Sequence, residues 1–217
     1  LYTAYTGMVN QQNRLDVLTN NLANSATNGY KKEGTTSQSF ADTLAIKIKD
    51  TSDYNLPKKL GGISLGVKIG ENYTDYDQGS FRVTDNVYDM ALDGDGFFAI
   101  SFTNKNGETS VKYTRDGAFT VNREGYLVTK DGDYVLNQAA ANAGNPGQNG
   151  YIRVDPNVKL VVDEQGYLYQ NGVQLGQIGV VDFANYDYLE KYGENMYNLV
   201  NGGQTTPSQA KVVQGSL

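Results

Sequence analysis

Asp93-Gly94-Asp95-Gly96 is the place in this sequence where chemistry is most easily imagined, because closely spaced carboxylates and glycines build calcium loops. The spacing fails the test. Counted from Asp93, the fifth, sixth and twelfth positions are Phe97, Phe98 and Asn104, where that loop needs an oxygen ligand, a glycine and a glutamate. Gly61 to Lys68 approaches a phosphate-cradling loop, but the lysine comes one position late and no Ser or Thr follows it. Paired carboxylates alone can hydrolyse a glycoside. Asp163 with Glu164 and Asp116 with Glu124 are the candidates, and both pairs fall in turn-like stretches where solvated acids are ordinary. Tyr186, Tyr188, Tyr192 and Tyr197 invite a sugar-stacking reading, against which stands the common use of Tyr as core and interface packing.

The absences cut deeper than these near-misses. The chain has no Cys and no His, so the common structural zinc sites and the Ser-His-Asp and Cys-His forms of nucleophilic catalysis cannot be built. The reading is therefore of a chain that is not an enzyme and takes no cofactor or metal. A net charge of −6 over 217 residues lacks the basic stripe of a nucleic-acid binder. No apolar run approaches the ~18 residues of a membrane span, and no signal-peptide pattern opens the chain. What is abundant is turn and strand chemistry, with 25 Gly and 17 Tyr.

The elements that carry these residues divide early. Leu1, Met8, Leu15 and Leu22 recur every seven residues, and Ala4, Gln11 and Leu18 fill the second heptad position. Asn10, Asn13, Asn20 and Asn21 lie between them. The stripe is narrow, as a helix–helix seam is, and no second heptad segment follows. A lone helix of this length is marginal in water, so the reading gives it a partner outside the chain. Residues 1 to about 30 are expected to be disordered in the free monomer and to fold on assembly. Asn28-Gly29 marks the turn that follows.

Residues 31–60 read as an extended arm, with a hint of a short strand or frayed helix at Phe40, Leu44, Ile46 and Ile48 and a linker from Asp50 to Lys59. Residues 1–60 carry seven basic and five acidic side chains, and the rest carry eleven and nineteen. The body, 61–200, shows short strands separated by Asp-Gly and Asn-Gly pairs, the preferred residues of type I′ hairpins. This predicts a mainly β chain: an antiparallel, Gly/Asn-turn-rich barrel or sandwich behind an N-terminal helical assembly segment. Gln138 to Gly150 reads as an exposed, mobile loop, and 201–217 as a C-terminal linker.

Four blocks in order carry a resemblance. The first runs from Leu15 to Asn24 and on through Thr27, Gly29, Tyr30 and Lys31. The second is Tyr76-Asp77-Gln78-Gly79 with Leu92 to Phe98, the third Tyr113 to Phe119, and the fourth Phe183-Ala184-Asn185 with Asn195-Met196-Tyr197 and Gln214-Gly215. Together they resemble the flagellar basal-body rod and hook proteins, and within them the rod proteins of the distal type. The resemblance implies a helically polymerising subunit of the drive shaft that joins motor to hook. It also implies partners among copies of itself and other rod or hook subunits, handling by the flagellar export apparatus without a cleaved signal, and a place in the periplasmic or wall-spanning rod. It further implies a second heptad helix past the Gln-Gly position, which this sequence does not contain; with no opening Met and an abrupt stop at Leu217, both ends read as trimmed. The subunit interface is expected at Leu1, Ala4, Met8, Leu15, Leu18, Asn20, Asn21, Leu22, Asn24, Gly29 and Tyr30. Structural turns are expected at Gly79, Asp93, Gly94, Asp95, Gly96, Asp116 and Gly117. The alternatives are a hook subunit, a Tyr-rich carbohydrate-binding module, and a carboxylate-only glycosidase.

Overall fold

The 22-residue helix α1 (Tyr2–Ala23) opens a computed structural model that describes residues 2–39, 43–46, 59–63 and 66–217. Leu1, Phe40, Ile48 and most of the expected 50–59 linker lie outside the described residues. Strand β1 (Glu33–Ser39) follows, then β2 (Thr43–Ile46), β3 (Lys59–Ile63) and β4 (Val67–Thr74). β1 pairs antiparallel with β4, from Glu33 opposite Thr74 to Ser39 opposite Val67, and β2 pairs with β3. Of the strand and frayed helix both hinted at by Leu44 and Ile46, the strand is the one present. The 31–60 segment is not wholly an arm, because Glu33–Ser39 is bound into a two-stranded ribbon with β4.

The chain then forms β5 (Met90–Asp93), β6 (Phe97–Thr103), β7 (Thr109–Thr114), β8 (Phe119–Val121), β9 (Leu127–Thr129) and β10 (Tyr134–Val135). After helix α2 (Gln138–Ala143) come β11 (Leu160–Val162), β12 (Tyr167–Gln170), β13 (Val173–Gln177) and β14 (Val180–Phe183). The last strands are β15 (Leu189–Tyr192), β16 (Met196–Leu199), β17 (Thr205–Pro207) and β18 (Lys211–Gln214). The main sheet runs β15-β16-β7-β6-β10-β9-β8, with β14 paired to β6 and β17 paired to β14. Its path does not close. Of the two architectures expected, the sandwich-like one is present and the barrel is not.

Pleating explains the two cores. Adjacent Phe97 and Phe98 point to opposite faces of β6. Phe98 joins Met90, Leu127, Leu160, Leu168, Ile178 and Val212 in the main apolar cluster between the large sheet, the β11-β12-β13 sheet and the β5–β18 pair. Phe97 instead meets Phe183, Tyr186 and Tyr197 at ring-centroid distances of 5.3 to 6.1 Å. Tyr197 is buried and Tyr186 packs edge-on against Phe97, so the four tyrosines weighed as a stacking platform do not share an open face.

Two compact units result. One comprises Leu1–Ser25 with Lys31–Tyr76, the other Ala26–Tyr30 with Asp77–Leu217. This division differs from the boundaries expected at 30, 60 and 200. Residues 33–39 return to pair with 67–74, a long-range contact that local pattern does not encode. The 201–217 segment is no linker either: β17 pairs with β14, β18 pairs with β5, and Val212 is buried. Gln138 to Gly150 is likewise ordered by an Asn137 cap whose Oδ1 accepts the Ala140 N–H at 2.9 Å. Ala140 and Ala141 pack inward there, and a Cβ on Gly150 would lie 2.4 Å from that of Ala140.

Candidate assembly site

Helix α1 has two faces of unexpected character. Met8, Leu15, Leu18 and Leu22 are 66%, 61%, 53% and 74% exposed, and Ala4 is exposed with them. Asn10 and Val17, at 6% and 9%, are the buried positions. The helix is thus seated on β1 and β4 by its amide face. Asn10 Nδ2 donates to the Lys68 carbonyl at 3.2 Å, and Ser37 Oγ donates to Asn10 Oδ1 at 2.8 Å. Asn13 Nδ2 reaches Thr35 Oγ1 at 3.3 Å. Asn21 Nδ2 donates to the Glu33 carbonyl at 2.7 Å, while Asn21 Oδ1 accepts the Glu33 N–H at 2.9 Å.

Two expectations change here. The helix does find a partner in its own chain, a ribbon joined by hydrogen bonds rather than by a second heptad. The expected interface residues also divide. Asn21 is spent on Glu33, and Asn24 Nδ2 donates to Asn20 Oδ1 at 2.7 Å, so these amides brace their own subunit. Exposed apolar side chains in contiguous rows mark interaction surfaces. The leucine stripe fits that description, and the asparagines do not.

The remaining motif residues converge inside the second unit. Gly29 has φ +69°, and a Cβ there would lie 2.4 Å from the Asp116 nitrogen, so only glycine allows this approach. Tyr30 receives the Lys191 ammonium over its ring at 4.7 Å. Arg115 Nη1 donates to Gln78 Oε1 at 2.9 Å, its Nη2 donates to the Gly94 carbonyl at 2.7 Å, and its guanidinium faces Phe97. Burial pushes the Arg115 pKa below its ordinary value, opposed by Tyr186, Asp95, Asp182 and Tyr197. Asp116 accepts the Ala118 N–H through Oδ1 and the Asn195 Nδ2 through Oδ2, each at 3.0 Å. Its carboxyl is pushed above its usual range by burial, with backbone hydrogen bonding in opposition. In the first unit, Lys31 Nζ donates to the Tyr76 carbonyl at 3.1 Å.

The expected turns also differ from one another. Asn171-Gly172 is the pair in which both residues have positive φ, as a type I′ hairpin requires. Gly94 and Gly96 are left-handed while Asp93 and Asp95 are not. Gly117 has no left-handed φ; a Cβ on it would run into the Met90 carbonyl oxygen, and Met90 N–H donates to the Gly117 carbonyl at 3.0 Å. Gly79 has neither a left-handed φ nor a close neighbour, so no turn requirement is visible there. The device the pattern missed is the Asx turn: Asn104, Asn122 and Asp163 each accept two backbone N–H groups, with Gly107, Gly125 and Gly166 three residues on. That occupies Asp163, one of the carboxylates weighed for hydrolysis, and Glu164 pairs with Lys211 at 2.7 Å. Among the described residues no three carboxylates gather closely enough to hold a metal ion.

The motif blocks and the helix are also where known sequences match. Residues 1–31 match the model described as flagella basal body rod protein, and 91–186 that of the flagellar hook protein FlgE/F/G D1 domain. The flagellar basal-body rod protein FlgG of Bacillus subtilis is 38% identical over 203 residues, covering 91% of this chain and 72% of that protein. This chain belongs to the flagellar basal-body rod protein family. The rod protein FlgF of Caulobacter vibrioides is 32% identical over 219 residues, covering 100% of this chain and 80% of its own length. FlgG of Buchnera aphidicola subsp. Acyrthosiphon pisum is 31% identical over 215 residues, with 95% and 78% covered. The rod-family match falls on α1 and its turn, and the D1 match includes the turn between β7 and β8 that carries Arg115 and Asp116.

Proposed function

We propose that this chain is a structural subunit of the bacterial flagellar rod, assembling helically with copies of itself and sibling rod or hook subunits. One observation carries the reading: the segment that matches the rod family presents Met8, Leu15, Leu18 and Leu22 to solvent while its amide face is already bound. A head-to-tail contact that does not close into a ring generates a filament. In such an assembly the stripe is buried against neighbouring helices, with Ala4 allowing close approach. Asn20, Asn21 and Asn24 act one step back, holding the helix in the orientation that exposes the stripe. The stiff β unit transmits torque, and the subunit carries out no catalytic step. It is exported by the flagellar apparatus, does not bind nucleic acid or insert in membrane, and stands in the periplasmic or wall-spanning rod, on the distal side by its likeness to FlgG. A hook role has weaker support, since FlgG of Bacillus subtilis and FlgF of Caulobacter vibrioides are named as rod proteins.

The test is location. An epitope-tagged copy expressed in the source bacterium is expected to co-purify with detergent-extracted basal bodies and to label the rod in electron micrographs. Label confined to the hook, or a tagged protein absent from basal bodies that are otherwise complete, contradicts the reading.

A further inference from the structure

We propose that Lys112 and Asn198 are the two halves of an intramolecular isopeptide bond, formed without an added enzyme and with Glu190 carrying the proton. The three residues stand on three neighbouring strands. β16 pairs with β7 through Tyr197 opposite Tyr113, and Asn198 and Lys112 are the next residues along each strand. On the other side of β16, Glu190 of β15 lies opposite Asn198. Lys112 Nζ already donates to Asn198 Oδ1 at 2.7 Å. The carbon bearing that oxygen is therefore within a small displacement of the ~3–3.5 Å at which bonds begin to form.

The surroundings favour the attack. Lys112 is only 7% exposed, and its hydrogen bond goes to a neutral amide. The Tyr192 ring covers the ammonium at 4.5 Å, and Phe102 braces Tyr192 edge-on at 5.2 Å. Burial lowers the Lys112 pKa, which enlarges the free-amine fraction, while the Glu190 charge acts in the opposite direction. A desolvated lysine is the form in which this side chain becomes a nucleophile.

The step balances without any oxidant or co-reactant. The neutral Nζ bonds to Asn198 Cγ, the Cγ–Nδ2 bond breaks, and Glu190 relays one proton from Nζ to Nδ2, which leaves as ammonia. The product ties β7 to β16 covalently. Pulling these strands apart would then require breaking an amide rather than a short ladder of hydrogen bonds. This consequence suits any load-bearing sheet and does not depend on which assembly the subunit joins.

Mass spectrometry of the purified full chain tests it. The expected result is an intact mass lower by one ammonia, about 17 Da, and a branched peptide joining Lys112 to Asn198 after proteolysis. Lys112→Arg, which keeps a donor for Asn198 but no nucleophilic amine, is expected to lack both signals. Glu190→Gln is expected to slow bond formation by ~100-fold, the usual scale of proton-transfer catalysis. Succinimide formation at an Asn-Gly pair such as Asn106-Gly107 removes the same mass, so the position of the loss decides. An unshifted mass, a loss that maps elsewhere, or a loss that survives Lys112→Arg would overturn the proposal.

Discussion

Asn21 grips Glu33 with both ends of its amide, donating to the carbonyl at 2.7 Å and accepting the N–H at 2.9 Å. The pair works like one rung of a β-ladder supplied by a side chain, and it joins α1 to the ribbon of β1 and β4. Asn21→Asp keeps the acceptor and loses the donor. The expected cost is ~1–3 kcal/mol, the range for leaving a part-buried group unsatisfied. Hydrogen exchange should accelerate along α1 and β1 and stay unchanged in β6 and β7.

Gly117 is the position least able to accept a side chain. Gly117→Ala drives a methyl into the Met90 carbonyl, whereas Gly79→Ala meets open space. The first should lower stability by more than ~2 kcal/mol, and the second should stay within ~0.5 kcal/mol of the parent. Urea unfolding of both variants beside the parent checks this.

Arg115 joins Gln78, Gly94 and the face of Phe97. Lysine cannot reproduce a planar fork over a ring. Arg115→Lys should therefore destabilise the second unit by ~1–3 kcal/mol, with loss of both charge-assisted hydrogen bonds. Near-ultraviolet circular dichroism, which reads the Phe97, Phe183 and Tyr197 cluster, should change at temperatures where the parent spectrum is intact.

The Asp116 and Asp133 carboxyls are both held above the ordinary carboxylate range, burial being the largest cause in each. A raised folded-state pKa means the folded protein holds protons that the unfolded chain has released. The contribution of these groups is thus fully present below their unfolded pKa and is lost as pH rises through the folded value. Other carboxylates contribute in either direction, so the informative quantity is the difference from a variant. Stability of the parent relative to Asp116→Asn should fall as pH rises from the ordinary carboxylate pKa through the raised one. Urea midpoints at several pH values measure it. A difference that is flat with pH counts against the assignment.

Much of the β body was legible because its signals are local. β6 lies between the Asp95-Gly96 and Asn106-Gly107 pairs and β8 follows Asp116-Gly117, where short strands set off by such pairs were expected. The leucine stripe was also legible, since a seven-residue period defines a face whatever that face meets. Less visible was what the other face does. Asn10, Asn13 and Asn21 bond to a ribbon whose strands lie about 30 residues apart in sequence, and such pairing follows from the assembled fold rather than from periodicity. The Asp-Gly pairs misled for a related reason. Gly117 is required by the approach of Met90, a distant backbone, and not by its own dihedral angles.

The division of α1 into a bound amide face and an open leucine face is tested most directly by Leu15→Asp, Leu18→Asp and Leu22→Asp combined. Sedimentation velocity over a concentration series should show the parent self-associating and the triple variant remaining monomeric, with the same urea midpoint for both monomers. A variant that still associates like the parent, or one whose monomer is markedly less stable, would mean that the stripe packs within its own subunit.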